Sequence, residues 1–302
     1  MSDMRDVSSC SAVIPAFNAE RWIRQAVDSV LAQTHPLRQV VIVDDGSTDR
    51  TADLLSEFGD RVRVVRQNNR GVASARNAGA ALTDSTHLAF LDADDVWEPE
   101  KVELQMARFA AEPELVMVQC GVVEIDAADR ELSELVLKGR SGDIYRDLVM
   151  QEPVVCGGGS GAIFARWVFD IVGGFDPRFS TSADWQLWLR VARHGPVGIV
   201  EEPLLRYRIH DSNMHTNIDA ERHDMLQGLR EAIASDSALA SVGPRALARC
   251  HRTLAGGYWQ QGRYGSSIAQ MIAASVRDSS NIRYFIGKLR SRVSHYDCDN
   301  NG

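Results

Sequence analysis

The chain has 302 residues, with 33 lysines and arginines against 41 aspartates and glutamates, giving a formal charge of −8 at pH 7. Hydrophobic residues make up 44% and charged residues 25%, an ordinary globular composition that excludes a collagen-like, disordered or disulfide-stapled chain. The acidic balance argues against sequence-independent nucleic-acid binding, which rests on neutralising phosphates, so no nucleic-acid partner is expected.

Five cysteines (Cys10, Cys120, Cys156, Cys250 and Cys298) are scattered without a CxxC pair and read as reduced thiols. The first ten residues lack the apolar segment of a secretory signal, and no run approaches the roughly 18–20 apolar residues that span a bilayer. A soluble cytoplasmic protein is expected. Residues 216–302 hold 11 basic and 8 acidic residues, or +3, which leaves −11 on the first 215.

In chain order, Ser11–Ala16 reads as a short strand, followed by a helix over about Glu20–Gln33 that Pro36 stops. Gln39–Val43 is a buried strand that breaks at Asp44-Asp-Gly-Ser-Thr-Asp49, a turn that also supplies a helix N-cap. A helix to about Phe58, strand Arg61–Arg66, helix Gly71–Leu82 and strand His87–Leu91 follow. That strand leads into Asp92-Ala-Asp-Asp95. Apolar strands alternating with amphipathic helices predict an α/β fold with a mostly parallel sheet covered on both faces. Beyond Pro99 come a helix, a strand around Leu115–Ile125, a helix near Asp143–Gln151 and a glycine cluster, Gly157–Gly161. A short strand, helix Asp184–His194 and an extended Gly198–Val200 complete this part. From Ile218 onward the pattern is three or four helices, so the expected organisation is an α/β domain over 1–215, which the resemblance given below implies is catalytic, and a helical region over 216–302.

Three strands end in unusual polar sequence: Pro15-Ala-Phe-Asn18, Asp44-Asp-Gly-Ser47 and Asp92-Ala-Asp-Asp95. In an open α/β sheet, ligands bind beyond the carboxyl ends of the strands. Clustered carboxylates become favourable when a hard divalent cation, Mg²⁺ or Mn²⁺, sits between them and a phosphorylated ligand. GxGxxG after the first strand and GxxxxGK[ST] are both missing, which removes the dinucleotide and P-loop readings.

Val13-Ile-Pro-Ala-Phe-Asn18, Val43-Asp-Asp-Gly-Ser-Thr-Asp49, Gly71-Val-Ala-Ser-Ala-Arg-Asn-Ala-Gly79 and Leu91-Asp-Ala-Asp-Asp95 resemble, in order and spacing, the family 2 glycosyltransferases with a GT-A fold. So does Gly173-Gly-Phe-Asp-Pro177 followed by Ala183-Asp-x-x-Leu-Trp-Leu-Arg190, and the resemblance covers residues 10–215. It implies inverting transfer of a sugar from a nucleoside-diphosphate donor, UDP being the commonest, to a glycan, lipid-linked or small-molecule acceptor. Carried over residue by residue, Pro15, Ala16, Phe17 and Asn18 would meet the base, with Phe17 where the family usually has Tyr. Asp44 and Asp45 would accept from base or ribose, and Arg76 would sit near the base or diphosphate. Asp92, Ala93 and Asp94 match the DxD, with Asp94, Asp92 and His210 as metal ligands. Asp184 matches the general base, although Ala183 stands where the family commonly has Glu. An N-cap of the helix Trp185–His194 is the plainer alternative for Asp184, and both roles can hold together. Asp95, Gly158, Gly159, Trp185 and Arg208 would line the acceptor and sugar side.

The competing functions are a non-catalytic nucleotide-sugar-binding scaffold and a sugar-phosphate nucleotidyltransferase, whose glycine-rich N-terminal signature is not supplied by Ala12–Arg21. Over Ile282–Tyr296 an apolar stripe and several basic residues predict an amphipathic helix. It docks on protein, including a homodimer partner, or rests peripherally on the inner face of a membrane.

Overall fold

The computed structural model describes residues 8–133, 136–211 and 217–287. The chain divides into two compact units, Met1–Leu148 with Pro153–Thr216, and Val149–Glu152 with Asn217–Gly302.

In the first unit, the fully buried β1 (Cys10–Ala16) pairs in parallel with β2 (Gln39–Asp44) and with β4 (His87–Phe90), and β2 pairs in parallel with β3 (Arg63–Arg66). Helices α1 (Ile23–Leu31), α2 (Thr51–Ser56) and α3 (Val72–Ala81) provide the crossovers. Continuous apolar strands such as Val40–Val43 form because both sheet faces are covered. The register Ala16–Asp44–Arg66 puts the ends of β1, β2 and β3 level, and the Leu91 N–H bonds to the Val13 carbonyl, so the loop after β4 leaves from the same edge. Gly79 lets α3 lie on β1: a Cβ there would stand 2.3 Å from Val13 Cγ1.

The other half of the sheet is mixed. Strands β5 (Val96–Trp97), β6 (Met117–Ile125), β7 (Ile163–Ala165) and β8 (Val197–Arg208) complete the order β3-β2-β1-β4-β7-β6-β8-β5. β7 runs antiparallel to both β4 and β6, β5 runs antiparallel to β8, and β6 and β8 are parallel. Helices α4 (Lys101–Ala111), α5 (Tyr145–Val149), α6 (Arg166–Ile171) and α7 (Ala183–Val191) lie between these strands in sequence. The extended segment expected at Gly198–Val200 is a 12-residue strand, because it crosses Pro203 through a register shift opposite Gly121. Any side chain at Gly121 would meet the Glu201 and Glu202 carbonyls at 2.7 and 2.6 Å.

The second unit contains α8 (Ile218–Ser235), α9 (Gly243–Gln260) and α10 (Tyr264–Arg277), and residues 280–287 are also helical. Within it, Glu152 pairs with Arg249, and Tyr258 donates to Asp219 at 2.6 Å. Cys10, Cys120, Cys156 and Cys250 are free thiols, and Cys298 lies outside the described residues.

Lys101, at the start of α4, is completely buried. Its ammonium donates to Gln105 Oε1 at 2.7 Å and lies 4.3 Å from the centre of the Trp97 ring. Burial pushes the Cys10 thiol up to about 12 and the Cys120 thiol up to about 11, so neither supplies a counter-anion at neutral pH. Burial holds the lysine below its ordinary value of 10.5. Between its folded value and 10.5 the unfolded chain binds a proton that the native chain does not, so this contribution to stability grows as pH rises. Lys101→Met removes it. In urea unfolding at pH 8 and at pH 10, the wild type should gain stability relative to Lys101→Met at the higher pH. A pH-independent difference would show that Lys101 is not perturbed.

Candidate active site

The loops after β1 and β2 are tied together. Asn18 takes a left-handed conformation (φ 50°), which Asn tolerates better than most residues. Its N–H donates to Ser47 Oγ at 3.0 Å, and its Oδ1 accepts from the Thr48 N–H at 2.8 Å. This leaves Phe17 at the tip, 48% exposed, between Pro15-Ala16 and the second loop. Asp44 is buried and accepts the Ser47 N–H at 2.8 Å. Asp45 is also buried. It accepts from Gln67 Nε2 at 2.8 Å and the Arg70 N–H at 2.9 Å on one oxygen, and the Gly71 N–H at 2.8 Å on the other. Asp45 thereby shapes the 67–71 loop, and Gly46, Arg66, Gln67, Asn68 and Asn69 line a surface pocket of about 600 Å³.

Deeper along the same edge, the β4 loop meets α3 and α7. The Arg76 guanidinium is buried, with Nη2 donating to Asp92 Oδ1 and Nη1 to Asp184 Oδ1, both at 2.6 Å. Its carbon lies 4.9 Å from the centre of the Phe175 ring. Burial opposes the guanidinium charge, but Asp184 and Asp92 more than offset it, so Arg76 is held above its ordinary value. Phe175 is fixed by Asn77, whose side chain accepts the Phe175 N–H at 2.9 Å and donates to the Phe175 carbonyl at 2.7 Å. Gly159 roofs the bridge: a Cβ there would stand 2.6 Å from Arg76 Nη2 and 3.1 Å from Asp184 Oδ1. At Gly158 a Cβ would lie 3.7 Å from both Asp184 Oδ2 and the Tyr207 ring.

Arg76 joins two carboxylates 92 positions apart in the chain. Asp184 departs from the N-cap alternative. Ser182 holds the cap position of α7, and the Asp184 carboxylate turns to Arg76 and the Gly159 N–H. Burial raises the Asp184 carboxyl above its ordinary value, and Arg76 opposes that shift without cancelling it.

Asp94 Oδ2 lies 2.9 Å from His210 Nε2, and the His210 ring stacks on Trp22 with centroids 4.4 Å apart. Burial and the neighbouring Asp92 charge raise the Asp94 carboxyl. Asp92 and Asp94 keep partial exposure, with side chains 27% and 29% accessible. Among the described residues, no three His, Cys, Asp or Glu side chains converge as a metal-binding group, and Asp92 is turned onto Arg76. Asp94 and His210 remain as an adjacent carboxylate and imidazole, a donor pair suited to a divalent cation that takes its other ligands from phosphate and water.

Two of the residues expected on the acceptor side have partners in the interior. Asp95 is buried, with Oδ2 accepting from Ser160 Oγ at 2.6 Å and Oδ1 from the Arg208 N–H at 2.9 Å. Both its oxygens are occupied, and burial keeps its carboxyl well above the ordinary value. Arg208 is fully buried. It donates to the Asp94 carbonyl at 2.7 Å, the Asp126 carbonyl at 3.0 Å and Gln25 at 2.8 Å, and pairs with Asp129. These two residues brace the β4 loop against β8. Trp185 is half-buried and donates its Nε1–H to the Leu148 carbonyl at 3.2 Å.

Sequence reasoning missed Ser160, which accepts from the Asp92 N–H at 3.0 Å and donates to Asp95; its carbonyl accepts from Trp97 Nε1 at 3.0 Å. One serine inside the Gly157–Gly161 run was the available signal. Trp22 was legible only as an apolar helix residue, and nothing in its spacing pointed to His210.

Residues 11–172, more than half of the chain, match the family model described as glycosyl transferase family 2. The chain belongs to glycosyltransferase family 2. Among family relatives, an uncharacterized glycosyltransferase of Nostoc is 33% identical over 218 residues, 68% of this chain and 66% of that protein. A chondroitin synthase of Escherichia coli is 28% identical over 235 residues, 76% of this chain and 33% of the synthase. The chain thus spans between one third and two thirds of these relatives. The family's GT-A fold is confirmed by solved structures. A Pyrobaculum calidifontis mannosyltransferase in complex with GDP-Man and Mn²⁺ superposes with TM-score 0.61 at 17% identity, over 94% of this chain and 80% of its own. S. aureus TarS 1–349 in complex with UDP gives 0.56 at 14%, over 90% and 92%. Among this chain's described residues, no helix is long and apolar enough to cross a membrane.

Proposed function

We propose that this enzyme transfers a sugar, with inversion, from a nucleoside-diphosphate donor to an acceptor hydroxyl in surface glycan or polysaccharide biosynthesis. The observation that carries this reading is the Arg76 bridge, which holds Asp184 one guanidinium away from Asp92 at the ligand-binding edge of the sheet. Asp184 takes the acceptor proton as the acceptor oxygen bonds to the anomeric carbon. The bond from that carbon to the diphosphate breaks, and the nucleoside diphosphate leaves with the electron pair. A half-buried carboxylate with a raised proton affinity suits this work.

Phe17 offers a ring face to the base, and the pocket lined by Gly46 and Arg66–Asn69 accommodates the nucleoside. Asp94 and His210 would hold Mn²⁺ or Mg²⁺, which neutralises charge on the diphosphate when bound. UDP is the favoured nucleotide. The units Met1–Leu148 with Pro153–Thr216 form the catalytic domain in this reading.

The test is incubation of the full chain with UDP-, GDP- and dTDP-sugars and a panel of sugar acceptors, with Mn²⁺, Mg²⁺ or chelator, measuring nucleoside diphosphate release. Metal-dependent release with glycosylated product is expected. Nucleotide-sugar binding without any donor consumption would establish the scaffold alternative instead, and release of nucleoside triphosphate on adding pyrophosphate would establish a nucleotidyltransferase.

A further inference from the structure

Half of the exposed large hydrophobic residues, seven of fourteen among the described residues, fall within 264–286. On α10 they are Tyr264, Ile268, Ile272 and Val276, spaced four residues apart and between 52% and 80% exposed. Such spacing drifts slowly around a helix, so the four occupy one face. The opposite side of α10 packs inward through the buried Ser267 and Ala274. Beyond α10, Ile282 and Ile286, four residues apart, are also exposed, and the half-exposed Tyr284 ring carries the Arg252 guanidinium at 4.8 Å. An exposed apolar stripe of this kind marks an interaction site.

Charge selects the occupant. Residues 261–296 carry six basic residues and a single acid, or +5, in a chain whose total is −8. The acid, Asp278, is offset by Arg245 at 3.9 Å, and Arg263 is held by Asp219, but Arg277 and Arg283 are exposed. Lys288, Arg290 and Arg292 follow in sequence. A second copy of this chain would bring two +5 segments together, whereas an anionic lipid surface attracts them. Tyrosines at the edge of an apolar stripe suit a lipid–water boundary.

We propose that α10 and the 280–287 helix form a docking surface for an anionic membrane, with Tyr264, Ile268, Ile272 and Val276 entering the headgroup region and Arg277 and Arg283 contacting lipid phosphates. The helices lie on the bilayer rather than across it. This places the enzyme where lipid-linked acceptors or growing polymers are found, but the docking itself does not depend on the transfer reaction.

The experiment is flotation of the full chain with vesicles of phosphatidylcholine alone or of phosphatidylcholine with phosphatidylglycerol, at low and high salt. The wild type should float with the anionic vesicles, less so at high salt and little with the neutral ones. Ile272→Asp, at an exposed site where folding is not at stake, should lower the vesicle partition coefficient by about tenfold. Arg283→Glu should weaken binding to the anionic vesicles alone. The proposal is overturned by a wild type that stays with the soluble fraction at low salt, or by binding that survives Ile272→Asp. It is equally overturned by a wild-type dimer in sedimentation that Ile272→Asp converts to monomer, since the stripe would then be occupied by a second copy.

Discussion

Asp184→Asn should reduce the turnover number for sugar transfer by about 10³-fold while leaving nucleotide-sugar affinity within a few-fold, in keeping with the ordinary worth of a general base. The substitution is nearly isosteric. Asparagine keeps an oxygen that can accept from Arg76 Nη1, so the bridge to Asp92 retains its geometry while the carboxylate proposed to take the proton is lost. The pH dependence supplies an independent check. Burial raises the Asp184 carboxyl above its ordinary 3.8, so in the wild type transfer should rise with pH over a range above that of an exposed carboxylate. A raised carboxyl in the folded state also stabilises the protein below pH 3.8, and that contribution disappears as pH rises through the folded value. The melting temperature of Asp184→Asn relative to wild type should therefore climb over the same range. Equal losses of transfer and of donor affinity in the variant would instead make Asp184 a donor ligand.

The parts of the fold visible in the sequence are those where one local signal suffices. β1, β2 and β4 are continuous apolar runs because both sheet faces are covered, and helices α1 and α3 show the matching periodicity. The mixed half is harder to see. β5 and β7 have two and three residues, too short for a period, and their antiparallel pairing depends on strands distant in sequence. β8 carries Glu201, Glu202 and Pro203 in its middle, which read locally as a break.

The same division runs through the site. The positions at the strand ends were legible from motif and spacing, because their loops leave from one edge of the sheet. Their partners were not. Nothing in the sequence shows that the Arg208 N–H and the Asp95 carboxylate, 113 residues apart, satisfy each other in the interior. A buried carboxylate must find donors and a buried guanidinium must find acceptors, and only tertiary packing decides which.

Arg76 is where that choice bears most directly on chemistry. A guanidinium can hold two carboxylates at once through separate N–H arms, and here Nη1 and Nη2 reach Asp184 and Asp92 with equal 2.6 Å bonds. Lysine keeps the charge but replaces the fork with one rotatable ammonium. Arg76→Lys should therefore fold and bind nucleoside diphosphate within a few-fold of wild type while losing about 10²-fold in turnover, the scale of a misplaced reacting group. Arg76→Gln goes further: two carboxylates lose their buried counter-charge, at a cost of about 3–5 kcal/mol in stability. Urea unfolding should separate the two variants. If Arg76 acts through Asp184, adding Arg76→Lys to Asp184→Asn should cost little beyond the aspartate substitution alone, because residues working as one unit are not additive. Full additivity, or a variant that keeps its turnover number and loses only nucleotide affinity, would move Arg76 back to the donor diphosphate.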